Sequence, residues 1–292
     1  MKNIIYLFAA FFIIASTQSC KRVMDEDGDL LNNLDANQGE LNGARFLYQE
    51  VNSVDTIAQY NYNGLKLVEV LNKQSKTNIS YNGELINKIT FYKVVAADSI
   101  ISTQYFSYDV TGKLITTISE VGTTYYDYED TTPGPIVKYK SVHDFTYTAD
   151  SKLKDITSRT GDDIPGTTFE FTSYLKFAFT FDAAKKNVTT IVRDSGPYTA
   201  GTFGPAAEQY VFNYSEYDVK VNPYTLLPFG YKVSALLDDP AKFYWISSNN
   251  PKKLVISNDT TPIPVELTTM YSYDAQDYVL SGFGKIYDYR PF

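Results

Sequence analysis

Aromatic and β-branched residues alternate with polar residues in short phrases that recur along the chain. The fullest phrase runs from Tyr105 to Ile118 and combines aromatic alternation, a turn and a second apolar run. Because successive side chains of a strand point to opposite faces, Phe106 and Tyr108 are predicted to share one face against a core. Six further segments have the same form: Tyr60–Leu67, Ile79–Leu85, Phe145–Leu153, Phe179–Lys185, Phe212–Tyr217 and Tyr271–Asp277.

A turn signal follows the aromatic pair in most phrases and predicts that the chain reverses there. Asn-Gly, Asp-x-x-Gly and Asp-Ala-x-x all tolerate turn geometry and positive φ, so we expect antiparallel hairpins. The intervals between equivalent aromatic residues range from 19 to 59 residues, which argues against a strict solenoid. The sequence therefore predicts an all-β fold of consecutive hairpins in one large, curved, twisted sheet, without helices of any length. Partial closure of this sheet into a barrel is an open alternative.

The first twenty residues have the pattern of a secretory signal. Lys2 precedes a twelve-residue apolar run, residues 4–15. This run is too short for a transmembrane helix, which needs about 20 apolar residues. Cys20, the only cysteine of the chain, follows Ser16-Thr17-Gln18-Ser19, and this arrangement resembles the lipobox of bacterial lipoproteins. The resemblance implies a signal peptide at 1–19, acylation of Cys20 by palmitate-like chains, and a membrane partner reached through that anchor.

Residues 20–41 are expected to form a flexible tether, because charge is clustered there and hydrophobicity is low. Asp25, Asp27 and Asp29 alternate as in a calcium loop, but Leu30 replaces the required glycine, so no metal site is predicted. An acidic cluster near the cysteine is similar to the surface-export signal of Bacteroidota lipoproteins. We therefore expect an outer-membrane location, with the cell surface favoured over the periplasmic side, and a single all-β domain at 42–292.

The repeated phrase resembles the tyrosine/aspartate (YD/RHS-like) repeats of shell-forming and cell-surface proteins. Tyr108-Asp109, Gly112, Lys113 and Leu114 carry the resemblance, and Tyr273-Asp274 and Phe181-Asp182 match its first half. The whole chain is closer to uncharacterised Bacteroidota lipoproteins with degenerate hairpins and a final Tyr-x-Tyr-Asp copy. These motifs concern turn chemistry, so the resemblance implies a fold and no reaction.

Charge and residue usage limit the candidate functions. A formal charge of −8 and a pI near 4.8 oppose binding to nucleic acid. His143 is the only histidine, which leaves one candidate base for a hydrolase. Asp144 follows it directly and should point to the opposite strand face. The paired acids Asp162-Asp163 and Asp238-Asp239 flank turn-forming residues. No catalytic residue and no cofactor is therefore predicted.

Binding is the better-supported class, and the aromatic residues supply its candidates. Tyr244 and Trp245, in a run expected to be a strand, are candidate ligand contacts, although core packing is the favoured explanation for this run. Tyr198 and Phe203 lie in a long Gly/Pro-rich segment of the kind in which recognition residues concentrate. We expect an envelope binding module for glycan or peptide. The alternatives are a structural or assembly component that binds an envelope protein and, more distantly, a polysaccharide-active enzyme.

Overall fold

A computed structural model of the chain describes residues 45–93, 99–126, 133–164 and 166–291. They form eighteen strands: β1 Arg45–Val51, β2 Thr56–Asn63, β3 Lys66–Leu71, β4 Ser75–Asn82, β5 Leu85–Lys93, β6 Ser99–Tyr108, β7 Leu114–Tyr126, β8 Pro133–Tyr147, β9 Leu153–Asp163, β10 Ser173–Phe181, β11 Val188–Thr199, β12 Thr202–Phe203, β13 Glu208–Ser215, β14 Lys253–Asn258, β15 Thr261–Thr268, β16 Ser272–Tyr273, β17 Val279–Gly282 and β18 Lys285–Pro291.

All eighteen strands belong to one antiparallel sheet, which confirms the predicted fold class. Its order is β16, β17, β18, β1, then β2 to β11 in chain order, followed by β13, β14 and β15; β12 pairs with the end of β11. The described ladders do not join β15 to β16, so the sheet remains open. Side chains bridge this gap: the Tyr273 hydroxyl donates to Asp218, and the Tyr271 hydroxyl donates to the Pro251 carbonyl at 2.9 Å.

The repeated phrases share a bulge that the sequence did not predict. In six of the seven, the strand register shifts immediately before the second aromatic residue: Tyr62, Tyr81, Tyr108, Tyr147, Phe181 or Tyr273. Bulges increase local twist, so their repetition curves the sheet. Three of these tyrosines also donate their hydroxyl to a backbone carbonyl of the neighbouring strand. The pairs are Tyr62 with Leu47, Tyr81 with Leu67, and Tyr147 with Leu114.

Each bulge precedes a tight turn, and the antiparallel order places all six turns at one end of the sheet, here called the turn end. At Asp109 the carboxylate accepts from the backbone N–H groups of Thr111 and Lys113 at 2.8 and 3.0 Å. The hydroxyl of Thr111 and the Lys113 N–H lead the interactions that lower the pKa of this carboxyl. Gly112 adopts φ +86°, which a side chain would disfavour. The opposite end, the loop end, carries connections 164–172 and 200–207.

The seventh phrase does not form a hairpin, which corrects the prediction for Phe212–Tyr217. The chain instead leaves β13 at the turn end and forms a helical insert, 216–252, before it returns in β14. The insert contains 3-10 helix η1 (Pro223–Leu226), helix α1 (Phe229–Asp238) and 3-10 helix η2 (Pro240–Ile246). The expectation of no helices, and of a strand at Phe243–Trp245, is therefore wrong. Among the helices in the described ranges, none has the length and apolar character needed to cross a bilayer.

The insert packs against the concave face of the sheet and completes its core. Phe243 of η2 lies 5.0 Å from the ring of Phe177 on β10, and Ser234 of α1 donates to Gln104 on β6 at 2.6 Å. Phe177 and Phe243 are both fully buried. Most of α1 is buried, including the polar Lys232 and Ser234, so its polar residues do not mark a solvent-exposed face.

The convex face carries polar pairs between neighbouring strands. Asn61 donates to Glu69 at 2.8 Å, and Lys76 lies 3.7 Å from the same carboxylate. Farther along the sheet, Thr190 donates to Asn213 at 3.0 Å. This inside-apolar, outside-polar alternation is typical of antiparallel sheets with one solvated face.

Candidate functional site

Tyr244 and Trp245, two of the predicted ligand contacts, lie inside the helical insert and not on the surface. Trp245 is 4% exposed and stacks on Tyr224 with ring centroids 4.2 Å apart, and Tyr244 packs edge-on against the same ring at 5.6 Å. The two side chains pack in the core, so neither ring has a face that a ligand could reach. A role for them in binding stays a prediction without geometric support.

Tyr198 and Phe203, the other two predicted contacts, lie together on the convex face at the loop end. Their ring centroids are 5.0 Å apart, and Phe203 packs edge-on against Tyr174 at 5.2 Å. Phe171 approaches Tyr198 at 6.4 Å and extends the group. We call Phe171, Tyr174, Tyr198 and Phe203 the aromatic platform. The hydroxyl of Tyr174 donates to the Gly204 carbonyl at 3.1 Å and fixes the loop beneath Phe203.

Two glycines allow the loops to lie flat against the sheet and build the platform. A Cβ at Gly161 would collide with the carbonyl oxygen of Glu170, in connection 164–172. A Cβ at Gly196 would lie 2.6 Å from the carbonyl oxygen of Pro205, in connection 200–207. A Cβ at either position would lie closer to backbone oxygen than real Cβ atoms do, so both positions require glycine for a close backbone approach. The platform is therefore built into the strands and does not depend on chance loop placement.

Cationic side chains border the platform. The Lys176 ammonium lies 3.7 Å from the centroid of the Phe203 ring, and the Arg159 guanidinium lies 5.5 Å from the Phe171 ring. Arg159 also forms an ion pair with Asp144, whereas Lys176 contacts the rings of Phe203 and Tyr174. Phe203 is 39% exposed, so part of its side chain remains accessible to a ligand. The platform thus presents an aromatic surface beside a positive charge.

His143, the one candidate base, faces the concave side. Its Nδ1 lies 2.7 Å from the Ser158 hydroxyl and its Nε2 lies 3.3 Å from the Ser119 hydroxyl. Asp144 points to the convex side, as expected for adjacent strand residues, and pairs with Arg159. A nucleophile and a base therefore meet without the carboxylate that orients the base in hydrolytic triads. Burial lowers the pKa of His143 to about 4, with a smaller opposing effect of Asp144.

A buried polar network, which the sequence analysis did not identify, holds the insert on the sheet. Glu50 of β1, 1% exposed, accepts from Tyr224 of η1 at 2.7 Å and from Tyr60, and forms an ion pair with Lys285 at 2.7 Å. Burial, followed by the charge of Glu50, raises the pKa of Tyr60 and of Tyr224 well above the ordinary value. Both phenols therefore remain hydrogen-bond donors at neutral pH. Glu50 and Lys285 are 235 residues apart, so no local signal could have indicated this pair.

Other predicted features fall outside these sites. Asp162 and Asp163 end β9, and Asp239 caps η2 by accepting from Ala241 N–H at 3.2 Å. Within the described ranges, no group of three or more His, Cys, Asp or Glu side chains is placed to hold a metal ion. Cys20 and the acidic residues that follow it lie outside the described residues.

Comparisons with known proteins show similarity of fold. No protein-family model matches the chain, and a search of curated proteins finds no relative. A porin-like protein from Bacteroides vulgatus aligns with a TM-score of 0.51 and 10% identity, over 85% of this chain and 100% of its own. A porin-like protein from Bacteroides uniformis aligns with a TM-score of 0.44 and 12% identity, over 84% of this chain and 95% of its own. The first alignment supports the large antiparallel sheet as the shared feature.

Proposed function

We propose that this chain is a lipid-anchored envelope protein that binds a glycan through the aromatic platform. One observation carries the proposal: Phe203 is 39% exposed and held beside the Lys176 ammonium, on a surface that Gly161 and Gly196 shape. A flat ring stacks on the apolar face of a sugar, and an adjacent cation attracts acidic substituents. Such residues on loops over a rigid sheet are the usual location of recognition sites.

The envelope location rests on the N-terminal pattern and on the fold. A signal-length apolar run ahead of Cys20 supports export and acylation, and the fold is shared with a Bacteroides protein described as porin-like. The polar pairs on the convex face support a body that stands in water beside the membrane. In this arrangement the anchor attaches the chain, and the loop end, opposite the turns, presents the platform.

The experiment is a comparison of glycan binding by the wild type and by Phe203→Ala. A saturating glycan, at about 100 times its Kd, should stabilise the folded state by about 2.7 kcal/mol and raise the Tm by about 5 °C or more. Phe203→Ala should remove that shift for the same glycan with little change in the Tm of the free protein. Ile115→Ala, at an apolar residue of β7 that is 41% exposed, is the matched control and should retain the shift.

Two results would contradict glycan binding at the platform. One is the absence of a Tm shift across a panel of neutral and acidic polysaccharides and peptidoglycan fragments. The other is a shift that persists in Phe203→Ala, which would place the site elsewhere. Cys20→Ser tests the location separately, since it should release the chain from the membrane fraction without affecting the glycan-induced shift.

A further inference from the structure

The edge strand β15 leaves a row of apolar side chains uncovered. Ile263, Val265 and Leu267 are 76%, 55% and 44% exposed. Leu267 lies opposite Leu254, which is buried in the core, and Val265 lies opposite Ile256, so both belong to the concave face, whereas Ile263 lies where the register of β15 shifts. Isolated exposed apolar residues are ordinary, but Val265 and Leu267, continuous with the core and next to the exposed Ile263, form a patch of the kind that binds partners.

The strand itself disfavours pairing with another strand. Pro262 and Pro264 each lack a backbone N–H, so an added strand would meet two missing donors within an eight-residue edge. Proline at edge strands commonly blocks such pairing. The occupant of this patch is therefore expected to contact the side chains of β15 and not its backbone.

Arg193 supplies a charge on the same face. It lies opposite Phe177 and Tyr210, and its guanidinium sits 5.1 Å from the Tyr210 ring. In the described part of the chain its Nε is buried without a hydrogen-bond partner. A buried guanidinium nitrogen without an acceptor is costly, because desolvation is not compensated. Arg193 thus has unused capacity for an anion.

One acid on this face, Glu208, already accepts a hydrogen bond. Glu208 lies opposite Ser195, which is two residues along β11 from Arg193 and on the same face. Its carboxylate accepts a hydrogen bond from Asn258 at 3.4 Å. Asp194 points to the convex face and accepts from Gln209 at 2.8 Å. An external anion therefore has a place at Arg193, although Glu208 reduces the local positive potential.

The distances between the charge and the apolar row match those of an amphiphile. Strands β11, β13, β14 and β15 are consecutive neighbours, and Val265 lies two residues along the strands from the row of Arg193, so about 16 Å separates the two residues. Between them, on the same face, lie Tyr210 and the half-buried Ile256. We propose that the concave face of β11–β15 binds a fatty acid, with its carboxylate at Arg193 and its chain along Ile256 and Val265.

A monoanionic carboxylate fits better than a phosphate monoester. The arginine fork matches both head groups in geometry. A phosphate monoester carries about −1.5 to −2 charges at pH 7, whereas this face offers one guanidinium beside the negative Glu208. The site is separate from the aromatic platform, which lies on the opposite face of the sheet, so it does not depend on the glycan-binding proposal.

The test is calorimetric titration of the full chain carrying Cys20→Ser, so that no acyl group of its own competes. Dodecanoate below its micelle concentration should bind at one molecule per chain, while acetate and dodecanol should bind at least tenfold more weakly. Arg193→Gln should weaken dodecanoate binding about 10- to 100-fold, as expected for a charge-assisted hydrogen bond. Val265→Asn should weaken it about tenfold. Glu208→Gln should strengthen it about two- to fivefold, an effect that misfolding cannot imitate.

Matched controls lie elsewhere on the molecule. Ile286→Asn changes an apolar residue that is 49% exposed, and Arg290→Gln removes an exposed guanidinium that stacks on Tyr48; neither should alter the affinity. Equal binding by wild type and Arg193→Gln, or tighter binding of dodecyl phosphate, would overturn the proposal. So would a dimer on gel filtration that Val265→Asn dissolves and dodecanoate leaves intact, since the row would then be a protein interface.

Discussion

At the residue scale, His143 connects burial to pH. Its pKa of about 4, against an ordinary 6.5, means that the unfolded chain binds more protons than the folded chain between these values. Stability should therefore fall as the pH drops from 6.5 to 4, by at most about 3 kcal/mol from this group. Denaturant unfolding across this range, compared with His143→Gln, isolates the effect because the chain has no other histidine. Identical pH profiles for the two proteins would contradict it.

Individual residues also show how far sequence reasoning reaches. The opposite orientations of His143 and Asp144 follow from strand geometry alone and are observed. Tyr198 and Phe203 lie together because connection 200–207 packs closely against Gly196. No local sequence pattern indicates that contact. Trp245 illustrates the reverse case, since an aromatic run provides large apolar area for a core as readily as for a ligand.

At the element scale, the Glu50 network connects η1 to strands β1, β2 and β18. Burial lowers the pKa of Lys285, but electrostatic interactions with Tyr244 and Glu50 and the hydrogen bond to Glu50 outweigh this, so the pKa is raised. Lys285 is thus charged in the folded state and depends on Glu50. Glu50→Gln should cost about 3–5 kcal/mol, because it leaves a buried ammonium uncompensated.

A double-mutant cycle separates the pair from its surroundings. Adding Lys285→Met to Glu50→Gln should recover part of the loss, with a coupling energy of about 0.5–3 kcal/mol by urea denaturation. Asp55→Asn, which removes the exposed partner of Lys73, is the control and should cost less than about 1 kcal/mol. A Glu50→Gln cost no larger than that of Asp55→Asn would show that the network does not hold η1.

The hairpins could be predicted because every signal for them is local, whereas the helices could not. In each hairpin the aromatic alternation and the turn residue lie within about fifteen residues of each other. The helical insert does carry start signals: Asn222-Pro223 and Asp239-Pro240 each combine a capping side chain with proline in the first helical turn. Its apolar residues point in all directions, however, so no 3.6-residue period distinguishes it from a buried strand.

At the scale of the whole molecule, the curved sheet and the insert depend on each other. A curved sheet of this size exposes a concave apolar face, and the insert covers it with Phe229, Val233, Leu236 and Phe243, all nearly inaccessible. Around the gap between β15 and β16, the insert also supplies Asp218, which accepts from Tyr273 of the other edge. We therefore expect the sheet and the insert to unfold as one cooperative unit.

This dependence predicts the result of removing the insert. Ser215 and Lys253 are paired neighbours, so Asn-Gly in place of 216–252 would close β13 and β14 into a hairpin with good turn geometry. The shortened chain should nevertheless lose cooperative unfolding, and it should bind a hydrophobic dye, because Phe177 and Phe179 would lose their contact with Phe243. Replacing 166–171 with a Gly/Ser linker removes a loop of the convex side and should retain a cooperative transition. A sharp transition near the wild-type midpoint in the shortened chain would mean that the sheet is stable without its insert.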